Sequence, residues 1–148
     1  MHPKPWSDDL WCEYNARFGD RVDSWLDAGH GDCVLRQDEV REFVKQSLMK
    51  YDGERMHIHA AVIMPNHVHI LMEPLGEYSL PQLLKGIKGA SARLANKHLN
   101  RNGAFWMNES YDHIVRSGKE YRHFIRYILE NPGKARLTDG HYWLYLKE

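Results

Sequence analysis

Four of the chain's ten histidines fall in one short stretch, as His57-Ile58-His59 and His67-Val68-His69. Imidazole readily binds divalent cations near neutral pH, and side chains two apart share one face of a β-strand. Each pair's Cα atoms then lie roughly 6–7 Å apart, close enough for both rings to reach one ion. The other reading is structural, because a histidine-rich chain produces His-x-His by chance. A second group with chemical potential is Tyr127 with Asn131. The two are one helical turn apart at the edge of an apolar stripe, where a ring is held while its hydroxyl stays reachable.

The elements that must position these residues are legible nearby. Met56 to Glu73 reads as two strands, about 56–63 and 67–73, with Met64-Pro65-Asn66 as the turn. Val and Ile dominate the flanks, and Pro and Asn suit a tight reversal. Ser117 and Glu120 form a capping box for a helix ending where Pro132 forbids continuation. Its apolar stripe is Tyr121, Phe124, Ile125 and Ile128, with Tyr121 as a core residue.

Ser79 is placed to cap a helix running to about Asn100, with Leu80, Leu83, Leu84, Ile87, Ala90 and Leu94 as its buried stripe. The other side carries Lys85, Lys88, Arg93, Asn96 and Lys97 among Gly86, Gly89 and Ala92. Glycine inside a helix costs about 1 kcal/mol relative to alanine, so two of them suggest close approach by a partner such as a phosphate backbone. A solvated face with a loose glycine pair is the alternative. Residues 78–108 contain five bases and no acid, which favours nucleic acid.

Upstream, residues 8–27 read as an amphipathic helix bearing Trp11, Tyr14, Phe18, Val22, Trp25 and Leu26, ended by Ala28-Gly29-His30-Gly31. A second helix, near 37–50, carries Val40, Phe43, Val44 and Leu48 on one face. Ala104 to Val115 reads as an aromatic loop leading into a strand. The tail through Trp143 and Tyr145 covers an exposed face.

At 148 residues one domain is expected, with a helical amino-terminal part (1–55), a body (56–137) and a tail (138–148). Two cysteines are too few for a disulfide framework or a thiolate metal site, and a reducing cytoplasm fits them. Neither a signal peptide nor a membrane-length apolar run is readable, so no membrane partner is expected. Formal net charge is zero, which excludes a generic nucleic-acid-coating protein, yet the first 55 residues hold twelve acids against eight bases. The neutral total hides a local basic patch.

Several separated motifs occur together: Met64-Pro65-Asn66-His67-Val68-His69, Leu84-Lys85-Gly86-Ile87-Lys88-Gly89, Phe105-Trp106, Tyr111-Asp112-His113 and Arg126-Tyr127-Ile128-Leu129-Glu130-Asn131-Pro132. In that order, over about Trp6 to Leu137, the chain resembles the single-tyrosine HUH transposases, most of all their REP-associated branch. The resemblance implies an α+β, ferredoxin-like antiparallel sheet with helices packed on it. It also implies cutting and rejoining of single-stranded DNA at hairpin-associated sites through a 5′-phosphotyrosine. Carried over, Tyr127 matches the nucleophile, His67 and His69 match two metal ligands, and Asn131 matches the third. The implied cofactor is Mg²⁺ or Mn²⁺, and the implied partner is single-stranded or hairpin DNA bound by a monomer or homodimer. Lys85, Lys88, Arg93 and Lys97 are the candidate DNA contacts.

Two departures carry expectations of their own. The family's usual first strand is not readable ahead of Trp6, so a gap is expected beside the metal hairpin, from either a misassigned start site or a degraded gene. Asn131-Pro132-Gly133-Lys134-Ala135-Arg136 also differs from the commoner Asn-Pro-Val-Arg-Ala-Gly. Two alternatives to strand transfer stand: a non-catalytic remnant that binds hairpin DNA, and a small hydrolase using all four hairpin histidines around a metal.

Overall fold

The central hairpin forms where its turn residues place it. Strands β2 (Met56–Ile63) and β3 (His67–Pro74) pair antiparallel, and Met64 N–H donates to the His67 carbonyl across the turn at 2.8 Å. The computed structural model describes residues 21–28, 33–107, 110–137 and 140–147. The hairpin contains one irregularity: Ile58 lies opposite Met72, but Ala60 lies opposite Leu71. The extra residue of this bulge switches the strand's parity. Met56 and Ile58 before it and Ala61 and Ile63 after it therefore all enter the same core.

On the other side of β3 lies β1 (Val22–Asp27), paired from Val22↔Met72 to Asp27↔His67. This corrects the helix expected over 8–27: its last six residues are a strand, and residues 8–20 lie outside the described residues. Val22, Trp25 and Leu26 fit a helical stripe, but the segment also alternates, with Val22, Ser24 and Leu26 on one face and Asp23, Trp25 and Asp27 on the other. Backbone pairing on both flanks, with β3 and with β4 (Ser110–Ile114), settles the ambiguity in favour of the strand. The expected gap beside the hairpin is corrected by the same strand, which fills it.

The tail is corrected too. Trp143 and Tyr145 do pack against the core, but they do so from a strand, β5 (Trp143–Leu146), paired with β2 from Ala60↔Leu146 to Ile63↔Trp143. The described residues thus form a five-stranded sheet of order β4-β1-β3-β2-β5, with every neighbouring pair antiparallel. With helices α1 (Asp38–Met49) and α2 (Leu80–Leu99), strands β1 to β4 make the β-α-β-β-α-β order of a ferredoxin-like α+β fold. Helix α3 (Gly118–Lys134) and β5 extend it.

The two sheet faces are covered differently. Helices α1 and α2 pack together over Leu26, Ile58, Ile63, Val68, Ile70 and Met72 through Val40, Val44, Leu48, Leu83, Leu84 and Ile87. Helix α3 covers part of the opposite face, where Ile128, with half-buried Tyr121, Phe124 and Ile125, packs on Ala60, Val62, Met64 and Leu71. Ser79 caps α2 in a full capping box with Gln82. Along α2 the fully buried stripe includes Ser91 and Ala95, while Ala90 and Leu94 are half-buried. Ser91 is buried because its hydroxyl accepts the indole N–H of buried Trp106 at 2.9 Å.

The capping box of α3 is displaced by one residue. Ser117 Oγ accepts Glu120 N–H at 3.1 Å, while Glu120 accepts the N–H of Arg116 rather than that of Ser117. The expected stop at Pro132 is also corrected, since the helix runs on to Lys134 with Pro132 inside it. Proline so near the carboxyl end removes one ladder bond only, and Ala135 and Leu137 N–H groups close the turn on the carbonyls of Asn131 and Pro132.

Candidate active site

Pairing of β1 with β3 sets His67 and His69 beside Asp23, Trp25 and Asp27 on the sheet face that α3 partly covers. His69 faces Trp25 across the ladder and His67 faces Asp27, but both rings engage diagonal neighbours. The Trp25 indole stacks on the His67 ring, with centroids 4.0 Å apart and planes 5° from parallel. Trp25 Nε1–H donates to Asp27 Oδ1 at 2.9 Å, which fixes the plate. His69 Nε2–H donates to the buried Asp23 carboxylate.

Each histidine therefore has one nitrogen committed and one open. His67 Nδ1–H donates to Asn66 Oδ1 at 2.9 Å, leaving Nε2 buried without a partner among the described residues. His69 Nδ1 is buried and unpartnered in the same sense. Burial, and secondarily the charge of His69, push the pKa of His67 down to about 4 against the pull of Asp27, so its open nitrogen carries a lone pair at neutral pH. A histidine tied by one N–H to a carboxylate or carbonyl oxygen, with the other nitrogen free, is the usual state of a metal-binding imidazole.

Residues of α3 complete the site. The Tyr127 ring meets the His69 ring edge-on at 5.2 Å, and the tyrosine is 36 % exposed. Lys134 Nζ lies 5.6 Å from the centre of the Tyr127 ring. A cavity of about 480 Å³ opens here, lined by Asp23, Trp25, His69, Tyr111, His123, Phe124 and Tyr127. Asn131 follows one turn later, half-buried, with its amide nitrogen unpartnered among the described residues. No cluster of three His, Cys, Asp or Glu able to hold a metal occurs among the described residues. Two open imidazole nitrogens with an amide on the facing helix fit a hard or borderline divalent cation.

The first-strand histidines go elsewhere. His59 has both nitrogens engaged, with the Tyr121 hydroxyl at 2.9 Å and Glu73 Oε1 at 3.3 Å. Its pKa is lowered, chiefly by burial. Tyr121 is thus half-buried and hydrogen-bonded rather than plain core. His57 lies 3.3 Å from Lys147 Nζ. A four-histidine metal site, one of the alternatives above, finds no support in this arrangement.

The basic residues of α2 divide between two grooves. Lys85 and Lys88 line one of about 500 Å³ against the 103–107 loop, whereas Arg93 lines another, of about 450 Å³, against α1. Lys97 is exposed and lines neither. Lys88 is linked to the histidine site in two steps: its Nζ reaches the Met107 carbonyl at 3.4 Å, and Met107 N–H donates to the Asp27 carbonyl at 2.9 Å. Neither Gly86 nor Gly89 has an atom within 4 Å of an added Cβ outside its own helical turn, so both face open space.

Residues 33–131 match the family model described as "Transposase IS200 like". The chain belongs to the IS200-like transposase family. The match spans the histidine hairpin, α2 and Tyr127 and ends on Asn131, while β1 precedes it. Comparison with curated proteins gives no match. Among solved structures, a REP-associated tyrosine transposase bound to a REP hairpin aligns with a TM-score of 0.66 at 20 % identity, over 81 % of this chain and 70 % of that one. A candidate transposase from Deinococcus radiodurans R1 aligns with a TM-score of 0.53 at 24 % identity, over 76 % and 88 % respectively. At these identities the likeness establishes the shared α+β fold, and family membership makes the chain a transposase-type, DNA-processing protein. No described helix is long and apolar enough to cross a membrane.

Sequence reasoning missed Asp23, Trp25 and His123. The first two were hidden inside the supposed helix, although Asp23-Ser24-Trp25-Leu26-Asp27 carries a strand's alternation. His123 had a visible signal: His123, Tyr127 and Asn131 recur at four-residue steps along one side of α3.

Proposed function

We propose that the chain cuts and rejoins single-stranded DNA at hairpin-associated sites, with Tyr127 as nucleophile and Mg²⁺ or Mn²⁺ held by His67, His69 and Asn131. The observation that carries this reading is the edge-on placement of Tyr127 against His69 at 5.2 Å, where both hairpin histidines keep an open nitrogen. When bound, the cation supplies Lewis-acid polarisation of the scissile phosphate.

The residues of the chain do the rest. Tyr127 Oη attacks phosphorus, the P–O3′ bond breaks, and the 3′ oxygen leaves and takes up a proton. The phenolic proton departs to His123 or to water, since His123 lines the same cavity one turn before Tyr127. The products are a 5′-phosphotyrosine and a free 3′-hydroxyl. Attack by a 3′-hydroxyl on that linkage reverses each bond change and regenerates the phenol, so rejoining needs no nucleotide cofactor. Asp23 and Trp25 keep His69 and His67 oriented through this cycle. Lys85 and Lys88 hold the DNA backbone beside the site, with Arg93 and Lys97 further along α2.

The test uses an end-labelled single-stranded hairpin substrate with Mg²⁺ or Mn²⁺. A covalent protein–DNA adduct is expected from the native chain and none from Tyr127→Phe, which should retain DNA binding. An adduct mapped by mass spectrometry to a peptide lacking Tyr127 refutes the assignment.

A further inference from the structure

The groove between α1 and α2 lies on the sheet face opposite Tyr127, and of its lining only Arg93 enters the strand-transfer reading. It encloses about 450 Å³. Three cations line it, Lys50 from the end of α1, Arg55 from the turn into β2 and Arg93 from α2, and no acidic residue does. Arg55 is the unusual member. Its guanidinium carbon sits 3.8 Å from the centre of the Tyr51 ring and 5.1 Å from that of Tyr78. Its Nε is buried, and its guanidinium has neither a hydrogen bond nor an ion pair among the described residues.

The backbone around it is rigid, since the Arg55 carbonyl accepts Leu75 N–H at 2.8 Å and Arg55 N–H donates to the Tyr51 carbonyl at 2.9 Å. No acid pairs with it among the described residues: Asp52, which accepts the Ile58 N–H, and exposed Glu54 and Glu77 all lie outside the lining. A half-buried guanidinium without a counter-charge keeps its donor fork for an incoming anion, and a planar fork suits phosphate. Arginine and tyrosine faces together suit the stacking of a base. Gly86 lines the same groove with no atom within 4 Å of its added Cβ, leaving room for a flat group.

We propose that this groove binds an unpaired nucleotide of a single-stranded DNA segment, with the phosphate on Arg55, Lys50 and Arg93 and the base against the Tyr51–Arg55–Tyr78 stack. The occupant is single-stranded because a paired base keeps its faces inside the duplex and cannot reach a stacking platform. The proposal rests on the DNA-processing reading only for its choice of ligand, and needs neither the metal nor Tyr127.

Fluorescence anisotropy of a labelled oligothymidine without hairpin tests it, with the full-length chain in chelator. Arg55→Gln and Gly86→Leu should each weaken binding by about tenfold, as loss of a charge-assisted contact or of a stacked base does. Arg55→Lys, which keeps the charge but not the fork, should recover only part. Gly86→Leu guards against the case in which the arginine variants misfold, because leucine fits an exposed helical position facing open space. Native-like binding by both Arg55→Gln and Gly86→Leu overturns the proposal. Equal weakening toward a blunt duplex also overturns it, by showing a general electrostatic effect. Competition by free thymidine monophosphate at the oligonucleotide's own Kd assigns the groove to a free nucleotide instead of a DNA segment. Adduct formation by the native chain is scored separately, and its failure would count against strand transfer without touching this site.

Discussion

His57-Ile58-His59 and His67-Val68-His69 are the same three-residue pattern on the two strands of one hairpin, yet they end in different chemistry. In the second pair each ring is tied by one nitrogen, to Asp23 or Asn66, and keeps the other open and buried. In the first, His59 spends both nitrogens on Tyr121 and Glu73, pinning the start of α3 to the sheet. The groups packed around each strand make the difference. Strand β3 lies beside β1, which offers a carboxylate and an indole, whereas β2 lies beside β5, with α3 overhead. A histidine's role is set by how many of its nitrogens the fold leaves open.

The largest contrast should appear in catalysis. His67→Ala or His69→Ala should reduce adduct formation on a hairpin substrate by about a thousandfold or more, as loss of a group needed for transition-state charge stabilisation does. His57→Ala should leave it within about twofold. His59→Ala should act on stability instead, costing roughly 1–3 kcal/mol because the Tyr121 hydroxyl and Glu73 lose a partner. Comparable loss of cleavage in the His57 and His67 variants would erase the distinction.

A smaller effect is expected at Asp23, which no family motif covers. Asp23→Asn keeps the shape but weakens the hold on His69. By the usual scale of an outer partner to a metal ligand, Mn²⁺ affinity should drop about 10- to 100-fold. Isothermal titration reads this without any DNA present. An unchanged Mn²⁺ affinity would show that the Asp23–His69 bond serves packing alone.

Last is a pH effect on the metal-free chain. Folded His67 stays neutral down to about pH 4, while the unfolded imidazole protonates near 6.5. The unfolded state therefore binds more protons between these values. Stability is fully present above about pH 6.5 and falls as the pH drops toward 4, by at most about 3 kcal/mol from this residue. Guanidinium titrations at pH 7 and pH 4.5 should show a smaller acid-induced loss for His67→Gln than for the native chain. His59 moves in the same direction, so His59→Gln should also blunt the loss. If neither variant does, burial is not what holds these rings neutral.

Features encoded within a few residues are legible before any fold is known. Pro65-Asn66 and the flanking β-branched residues specify the hairpin, Ser79 marks the start of α2, and the stripe through Phe124, Ile125 and Ile128 orients α3. Such signals need no distant partner, because a cap, a turn or a periodic face is satisfied locally. The rest waits on long-range contacts. Val22–Asp27 suits a helix or a strand until β3 and β4 pair with it, and that pairing makes it a central strand of the sheet. The bulge at Ile58/Ala60, the edge strand Trp143–Leu146 and the sorting of the histidine pairs likewise depend on partners far along the chain. Asp23 and His69 are 46 residues apart, and their hydrogen bond exists only because the β1–β3 register brings them diagonally together. Register is a property of two strands at once, and neither strand's own residues contain it.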